Sequence, residues 1–370
     1  MSDDSRERLG ELRVKIDDVD RQLISLINQR AKLVVEVGEV KRVGKLPIYA
    51  PHREAQLLER ILNLNEGPIP NRTLEAIYRE LMSGSFALEQ PLRIGYLGPA
   101  GTYSHMAATK HFGSSVEFEN LRAIQGVFEE VSRGHVNYGL VPIENSTGGG
   151  VTETLDALSE YKTQLNIYGE VQLAVHSALL ANCQPHEVRR IYSKGEAFSQ
   201  CRNWLSTQYP KAELIPAEST AKAVQRAKEE IEADPDAGVA AIGSSLAGEI
   251  YGLHNLFEKI EDRQHNITRF LILSKTETEI SGEDKTSIMF TTDDRPGSLV
   301  NVLNVFKRAG INLTHIDKRP SKEVNWDYTF FVDTMGHQKD AAFAQVIGEA
   351  RAHCKQLAVL GSYPRSTRVL

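Results

Sequence analysis

Cysteine is scarce in this chain, with three in 370 residues. Cys183, Cys201 and Cys354 lie far apart, are odd in number and form no CxxC pair, so neither a disulfide framework nor a cysteine zinc site is expected. No apolar run approaches the length of a membrane span. A net charge of −6 and the lack of any basic tract leave nucleic-acid binding without electrostatic support. The opening stretch Ser2-Asp3-Asp4-Ser5-Arg6-Glu7-Arg8 has no apolar core, so no signal peptide is expected. The cytoplasm is the natural compartment, with no nucleic-acid and no membrane partner. The hydrophobic and charged fractions, 41% and 25%, are those of an ordinary soluble protein. The length predicts two or three domains.

Proline is missing from Leu9 to Val43, and there apolar residues recur at helical spacing. One stripe runs Leu9, Arg13, Ile16, Asp20, Leu23, Ile27, Arg30, Val34, Val37, Lys41. Three cations therefore sit where a helix wants leucine. A single one is explained by a packed stem and a wet head. Three on one row fit that account less well, because an unpaired buried cation costs several kcal/mol or more, and Asp20 can neutralise only one. Something anionic is expected between the helices. A second helix, about 52–65, opens with Arg53-Glu54. A third, about 71–90, carries Leu74, Tyr78 and Leu81, then Ser85 and Glu89 on the same side.

A 35-residue helix spans roughly 50 Å at 1.5 Å per residue, whereas a domain of about 90 residues is only about 30 Å across. The overhang must bury its stripe against another chain, which predicts an intertwined helical dimer.

The stretches Leu12-Arg13-Val14-Lys15-Ile16-Asp17, Val35-Glu36-Val37-Gly38-Glu39-Val40-Lys41 and Arg53-Glu54 carry a resemblance. Residues 8–89 resemble the all-helical chorismate mutase domain of bacterial bifunctional chorismate mutase–prephenate dehydratases. The resemblance implies that Arg13 from a partner subunit, Arg30 and Arg53 grip the carboxylates of chorismate. It implies Lys41 at the breaking ether oxygen, Glu54 on the hydroxyl, and Ser85 and Glu89 closing the site. A pericyclic rearrangement needs a dianion held in its reactive shape and charge placed where the oxygen turns negative. The family usually has Asp three residues before its Arg-Glu pair, where this chain has Ala50.

Past Gln90-Pro91, short apolar runs alternate with helices, which implies mainly parallel sheets covered by helices. Strands are expected at 92–97, 138–143 and 269–274, and strand–helix pairs near Arg190, Glu213 and Gly238. The arrangement suggests two α/β lobes, the second inserted at about 168–252. Thr102, Ser104, Asn145, Ser146, Thr147, Ser193, Ser219, Thr220, Ser244 and Ser245 all lie where a strand hands over to a helix. Singly, each reads as a helix cap. Together they put hydroxyls and free N–H groups where open α/β sheets bind ligands. Gly98-Pro-Ala-Gly-Thr matches neither GxGxxG nor GxxxxGK[ST], so a nucleotide is not expected.

Gly98-Pro99-Ala100-Gly101-Thr102-Tyr103-Ser104, Pro142-Ile143-Glu144-Asn145-Ser146, Pro216-Ala217-Glu218-Ser219-Thr220-Ala221 and Asn266-Ile267-Thr268-Arg269-Phe270 closely resemble prephenate dehydratase, a two-lobed fold like that of periplasmic binding proteins. The resemblance implies loss of the ring hydroxyl and carboxylate from prephenate, giving phenylpyruvate. It makes Thr268 the donor to the departing hydroxyl, Asn145, Ser146, Ser193 and Gln200 substrate contacts, and Arg269 a carboxylate anchor. A threonine hydroxyl is a poor acid, so Thr268 reads as an oriented hydrogen-bond donor. Ser193-Lys194-Gly195-Glu196 departs from the common Ser-His-Pro-Gln.

After a polar linker the order is strand, helix, strand, strand, helix, strand, the ferredoxin-like βαββαβ pattern. Arg295-Pro296-Gly297-Ser298-Leu299 and Asp317-Lys318-Arg319-Pro320 resemble the ligand motifs of regulatory ACT domains. The resemblance implies phenylalanine bound through Gly297, Ser298, Leu299, Asp317, Lys318, Arg319 and Pro320. Asp317-Lys318 stands where Glu-Ser is usual. The expected domains are 1–91, 92–275 and 285–370. Together they read as a cofactor-free, metal-free homodimer or higher oligomer acting on chorismate and prephenate under L-phenylalanine control. The rivals are an arogenate-preferring dehydratase and a catalytically silent sensor built from the same lobes.

Overall fold

With no proline before Pro47, the first helix is unbroken: α1 spans Asp3–Gly44, roughly 60 Å at 1.5 Å per residue. The computed structural model describes residues 3–44, 46–263, 265–320 and 328–370. Pro51 starts α2 (Pro51–Asn63), and α3 (Asn71–Glu89) returns along the last third of α1. The earlier part of α1 keeps its apolar residues in water: Leu12, Ile16, Leu23 and Ile27 are all exposed. The single chain gives that stripe no cover.

The next module holds two sheets. The first contains β1 (Arg93–Leu97), β2 (Glu117–Leu121), β3 (Tyr138–Asn145), the short β4 (Gly149–Gly150) and β5 (Asn166–Ala174). Helices α4 (Tyr103–Phe112), α5 (Ile124–Arg133) and α6 (Thr152–Tyr161) connect these strands. The second sheet has β6 (Ala178–Ala181), β7 (Arg190–Ser193), β8 (Glu213–Pro216), β9 (Val239–Gly243) and β10 (His254–Phe257). Its helices are α7 (Gly195–Gln200), α8 (Arg202–Gln208), α9 (Thr220–Ala233) and α10 (Ser245–Tyr251). The chain then returns to the first sheet as β11 (Ile267–Ser274), giving the order β2-β1-β3-β11-β5; the second sheet runs β10-β6-β9-β7-β8.

Two expectations need correction. Both sheets are mixed, because β5, β11, β6 and β10, next to the crossovers between lobes, run antiparallel to their neighbours. The second lobe also begins later than residue 168: Tyr168 is buried in β5 of the first sheet.

The C-terminal module is β12 (Asp284–Thr291), α11 (Ser298–Arg308), β13 (Leu313–Pro320), β14 (Tyr328–Met335), α12 (Ala341–Arg351) and β15 (Gln356–Pro364). Its antiparallel sheet has the order β13-β14-β12-β15. One face packs α11 and α12 through Val302, Phe306, Phe343 and Ile347. The other contributes Met289, Phe331, Leu360 and Tyr363 to a core shared with Val141, Ile143, Leu271 and Leu273 of the first lobe. Beyond β15 the chain pairs with β5, and Arg368 reaches Glu75 of α3 at 2.5 Å. All three modules are thus in direct contact.

Candidate functional site

Two groups of polar side chains stand apart in the fold. The first lies between α1 and α3. Arg30 donates to the Ser85 hydroxyl at 2.8 Å, and Ser85 donates in turn to the Leu81 carbonyl at 2.7 Å. One turn further along α3, Glu89 accepts from Lys41 at 2.8 Å, and Lys41 also donates to the Ile48 carbonyl at 2.9 Å. Gly38 permits this approach, since a Cβ there would stand 3.1 Å from the Glu89 side chain. Glu54 is paired with Arg79 of α3. Burial pushes the Glu54 carboxyl up, against the pull of Arg79. Arg53 is exposed on the first turn of α2. Arg13 is exposed on α1, 17 residues before Arg30 and so roughly 25 Å away along the axis. Sequence reasoning missed Arg79, which lies just past Tyr78 and off the apolar row.

The second group lies where the lobes meet. Thr268 of β11 is paired with Asn145 of β3 beside a bulge in that ladder. Asn145 Nδ2 donates to Thr268 Oγ1 at 2.8 Å and to Asn266 Oδ1 at 2.7 Å. Its Oδ1 accepts from the Thr147 N–H and hydroxyl and from the Gly148 N–H. Gln200, from the other lobe, donates to Thr147 at 3.3 Å and accepts from Asn266 at 3.4 Å. A continuous chain of side-chain bonds therefore crosses the cleft. Asn266, buried, was missed as a participant although it opens the Asn-Ile-Thr-Arg-Phe stretch.

Three expected substrate contacts are otherwise engaged. Ser146 Oγ donates to the His265 carbonyl and accepts from the Ile267 N–H, fixing the start of β11. Ser193 is fully buried and donates to the Ile242 carbonyl at 2.9 Å. Arg269 points away from the cleft, as strand alternation requires of the neighbour of Thr268. It meets Glu144 at 3.2 Å, Glu170 at 3.2 Å and Asp333 of the C-terminal module at 2.5 Å. Lys285 of β12 meets the same Glu170 at 2.9 Å. In the hand-over loops, Thr102, Ser219 and Ser244 cap helices, each accepting from the backbone N–H three residues on. Ser244 also donates to the Gly101 carbonyl at 2.7 Å, tying one lobe to the other.

In the C-terminal module, burial alternates strictly along β13. The inward residues reach the first lobe: His315 approaches Glu144 at 3.4 Å, and Arg319 forms a forked pair with Asp156, 3.1 Å on each arm. A methyl group on Gly150 would collide with the Asp317 carboxylate. Lys318 faces out, its ammonium 5.0 Å from the Tyr328 ring centroid. Asp317 and Arg319 thus contact the two-lobed module, and of the three charged residues Asp317, Lys318 and Arg319 only Lys318 looks outward. Gly297 caps α11 with φ of 87°, which suits glycine, and Ser298 and Leu299 open that helix.

Family models match the chain in the same order: chorismate mutase type II at residues 12–90, prephenate dehydratase at 94–278 and the ACT domain at 286–351. A bifunctional chorismate mutase/prephenate dehydratase of Stutzerimonas stutzeri is 43% identical over 367 residues, covering 97% of this chain and 98% of that protein. Among solved structures, the prephenate dehydratase of Arthrobacter aurescens in complex with L-Phe superposes with a TM-score of 0.67 at 31% identity, covering 74% of this chain and 90% of that one. A quorum quenching acylase reaches the same TM-score at 25% identity, covering 74% of this chain and 98% of its own.

Proposed function

The chain belongs to the family of bifunctional chorismate mutase/prephenate dehydratases, and from that premise we propose how its residues divide the two reactions. It rearranges chorismate to prephenate and converts prephenate to phenylpyruvate, water and carbon dioxide. The acylase of similar fold shows why the site residues, and not the lobes, have to carry the assignment.

In the mutase, Arg30 and Arg53, with Arg13 from a second copy, hold the two carboxylates. Lys41 is the donor to the ether oxygen, and Glu89 holds its ammonium in place. Glu54 takes the hydroxyl while remaining beside Arg79. Rate then comes from holding the reactive shape and placing charge, without any nucleophile.

In the dehydratase, the observation that carries the reading is the bond from Asn145 Nδ2 into Thr268 Oγ1. A hydroxyl that accepts this bond keeps its own hydrogen free, and that hydrogen is directed at the departing ring hydroxyl. Asn145 is held in this orientation by three donors to its Oδ1. Aromatisation supplies the driving force. Gln200 closes over the substrate from the other lobe.

Phenylalanine controls this activity from an ACT–ACT interface, using Gly297, Ser298 and Leu299 of one copy and the outward face of β13, with Lys318, of another. No helix among the described residues is long and apolar enough to cross a membrane, and the three thiols are free, which suits the cytoplasm.

The decisive experiment separates the reactions in the full chain. Thr268→Ala should stop phenylpyruvate formation and let prephenate accumulate from chorismate. Arg30→Ala should leave added prephenate consumed at the normal rate while chorismate persists. Loss of both activities in either folded variant rejects the division.

A further inference from the structure

The segment joining α1 to α2 carries a side chain that belongs, physically, to the other enzyme. Tyr49 is only 1% exposed, and its ring lies in the first-lobe core with Ile94, Phe112, Tyr138, Tyr168 and Phe270. It meets Phe112 and Tyr138 edge-on at centroid distances of 5.2 and 5.3 Å. Its hydroxyl lies 2.7 Å from Nε2 of His111, a ring that burial and Arg79 keep neutral by holding its pKa well below the usual value. Its carbonyl accepts from the Tyr168 hydroxyl at 2.8 Å and from Tyr138 at 3.4 Å.

The residues on either side of Tyr49 build the mutase site. The carbonyl of Ile48 is the second acceptor for the Lys41 ammonium. Ala50 is the N-cap of α2 and offers no side-chain cap, although Arg53 and Glu54 sit in the first turn of that helix. A start without such a cap gains from tertiary anchoring beside it, and the neighbouring Tyr49 is anchored in the first-lobe core.

We propose that Tyr49 is a positioning residue for the chorismate rearrangement, holding Ile48 and the start of α2 against the dehydratase core so that Lys41 points at the reacting oxygen. The mutase of this chain therefore depends on the dehydratase fold for its geometry. The proposal rests on the assignment of Lys41 above. Because Lys41 acts at the transition state while Arg30 binds the substrate carboxylates, disturbing Tyr49 should lower mutase kcat more than it raises KM. A misplacement of about 1 Å costs on the order of 100-fold in rate, so a loss of about tenfold is expected from a partly relaxed segment.

The test uses four full-length variants: Lys41→Ala, Tyr49→Phe, Tyr49→Leu and Tyr168→Phe. Tyr49→Phe keeps the ring and should stay within about threefold of wild type. Tyr49→Leu and Tyr168→Phe should lose mutase kcat with KM nearly unchanged, while prephenate turnover continues. Tyr168→Phe is the sharper of the two, since it lies wholly in the dehydratase and removes one hydroxyl. If Tyr49→Leu does not fold, Tyr168→Phe still decides. Normal mutase kcat in folded Tyr168→Phe, with Lys41→Ala inactive, overturns this proposal alone. Full activity in Lys41→Ala overturns the site assignment beneath it.

Discussion

The guanidinium of Arg269 is held by three carboxylates, and one of them, Asp333, belongs to the regulatory module. Burial alone would raise the Asp333 carboxyl, but Arg269, the hydrogen bond from Ser287 and Lys285 together hold it below the usual carboxylate range. A carboxylate with a lowered folded-state pKa contributes stability that is fully present above its unfolded value of about 3.9, and loses it as pH falls through the folded value. Asp333→Asn removes the charge while keeping an acceptor for Ser287, so it should cost about 1–3 kcal/mol at pH 7. The gap in Tm between wild type and Asp333→Asn should then close as pH drops below about 4. A gap that stays constant from pH 7 to 3 would show that another group carries the acid dependence. A cation next to Thr268 suggests a substrate anchor when read along the chain, and only the fold shows that it points at the opposite face of the strand.

At the scale of elements, β13 divides its work by alternation. Its inward residues hold the hairpin and helix that follow Asn145, while Ile316 and Lys318 face solvent. Binding and transmission of phenylalanine should therefore separate by face. Lys318→Ala should weaken the heat of phenylalanine binding in isothermal titration and leave uninhibited prephenate turnover unchanged. Arg319→Ala should bind phenylalanine normally yet be inhibited less, within the usual 5- to 150-fold range of allosteric coupling. Equal loss of binding in both variants would reject the division. Periodicity made most elements legible: the proline-free α1, the strands of both lobes and the βαββαβ order of the C-terminal module follow from runs of apolar residues. The hand-over loops pointed to Asn145, the resemblance carried by Asn266-Ile267-Thr268-Arg269-Phe270 pointed to Thr268, and the cationic stripe pointed to Arg30 and Lys41. What stayed hidden were groups whose meaning lies in a distant partner. Asp317 and Arg319 suit an amino-acid ligand and an ion pair equally well, and Tyr49 is a single aromatic in a connecting segment with no period to betray its burial.

For the whole molecule, the exposed stripe of α1 is the largest unmet demand. From Leu9 to Ile27, roughly 27 Å along the axis, its apolar residues stay exposed. A lone helix of that length is marginal in water, and a second copy related by a twofold axis would cover Leu12, Ile16, Leu23 and Ile27 with their own counterparts. The same geometry delivers Arg13 to a site it cannot reach in its own chain, some 25 Å from Arg30. Each mutase site should then be built from two chains, which makes a mixing experiment possible. Arg13→Ala and Arg30→Ala homodimers should both lack mutase activity. In a mixed dimer, the site holding Arg30 of the first chain receives Arg13 of the second and is whole, while the other site lacks both. Random mixing of equal amounts makes half the dimers mixed, each with one of its two sites intact, so about a quarter of wild-type mutase activity should return. Subunits exchanged at low protein concentration and assayed with chorismate provide the measurement, with prephenate turnover unchanged throughout as the control for folding. No recovery after demonstrated subunit exchange would mean that Arg13 does not complete a neighbour's site.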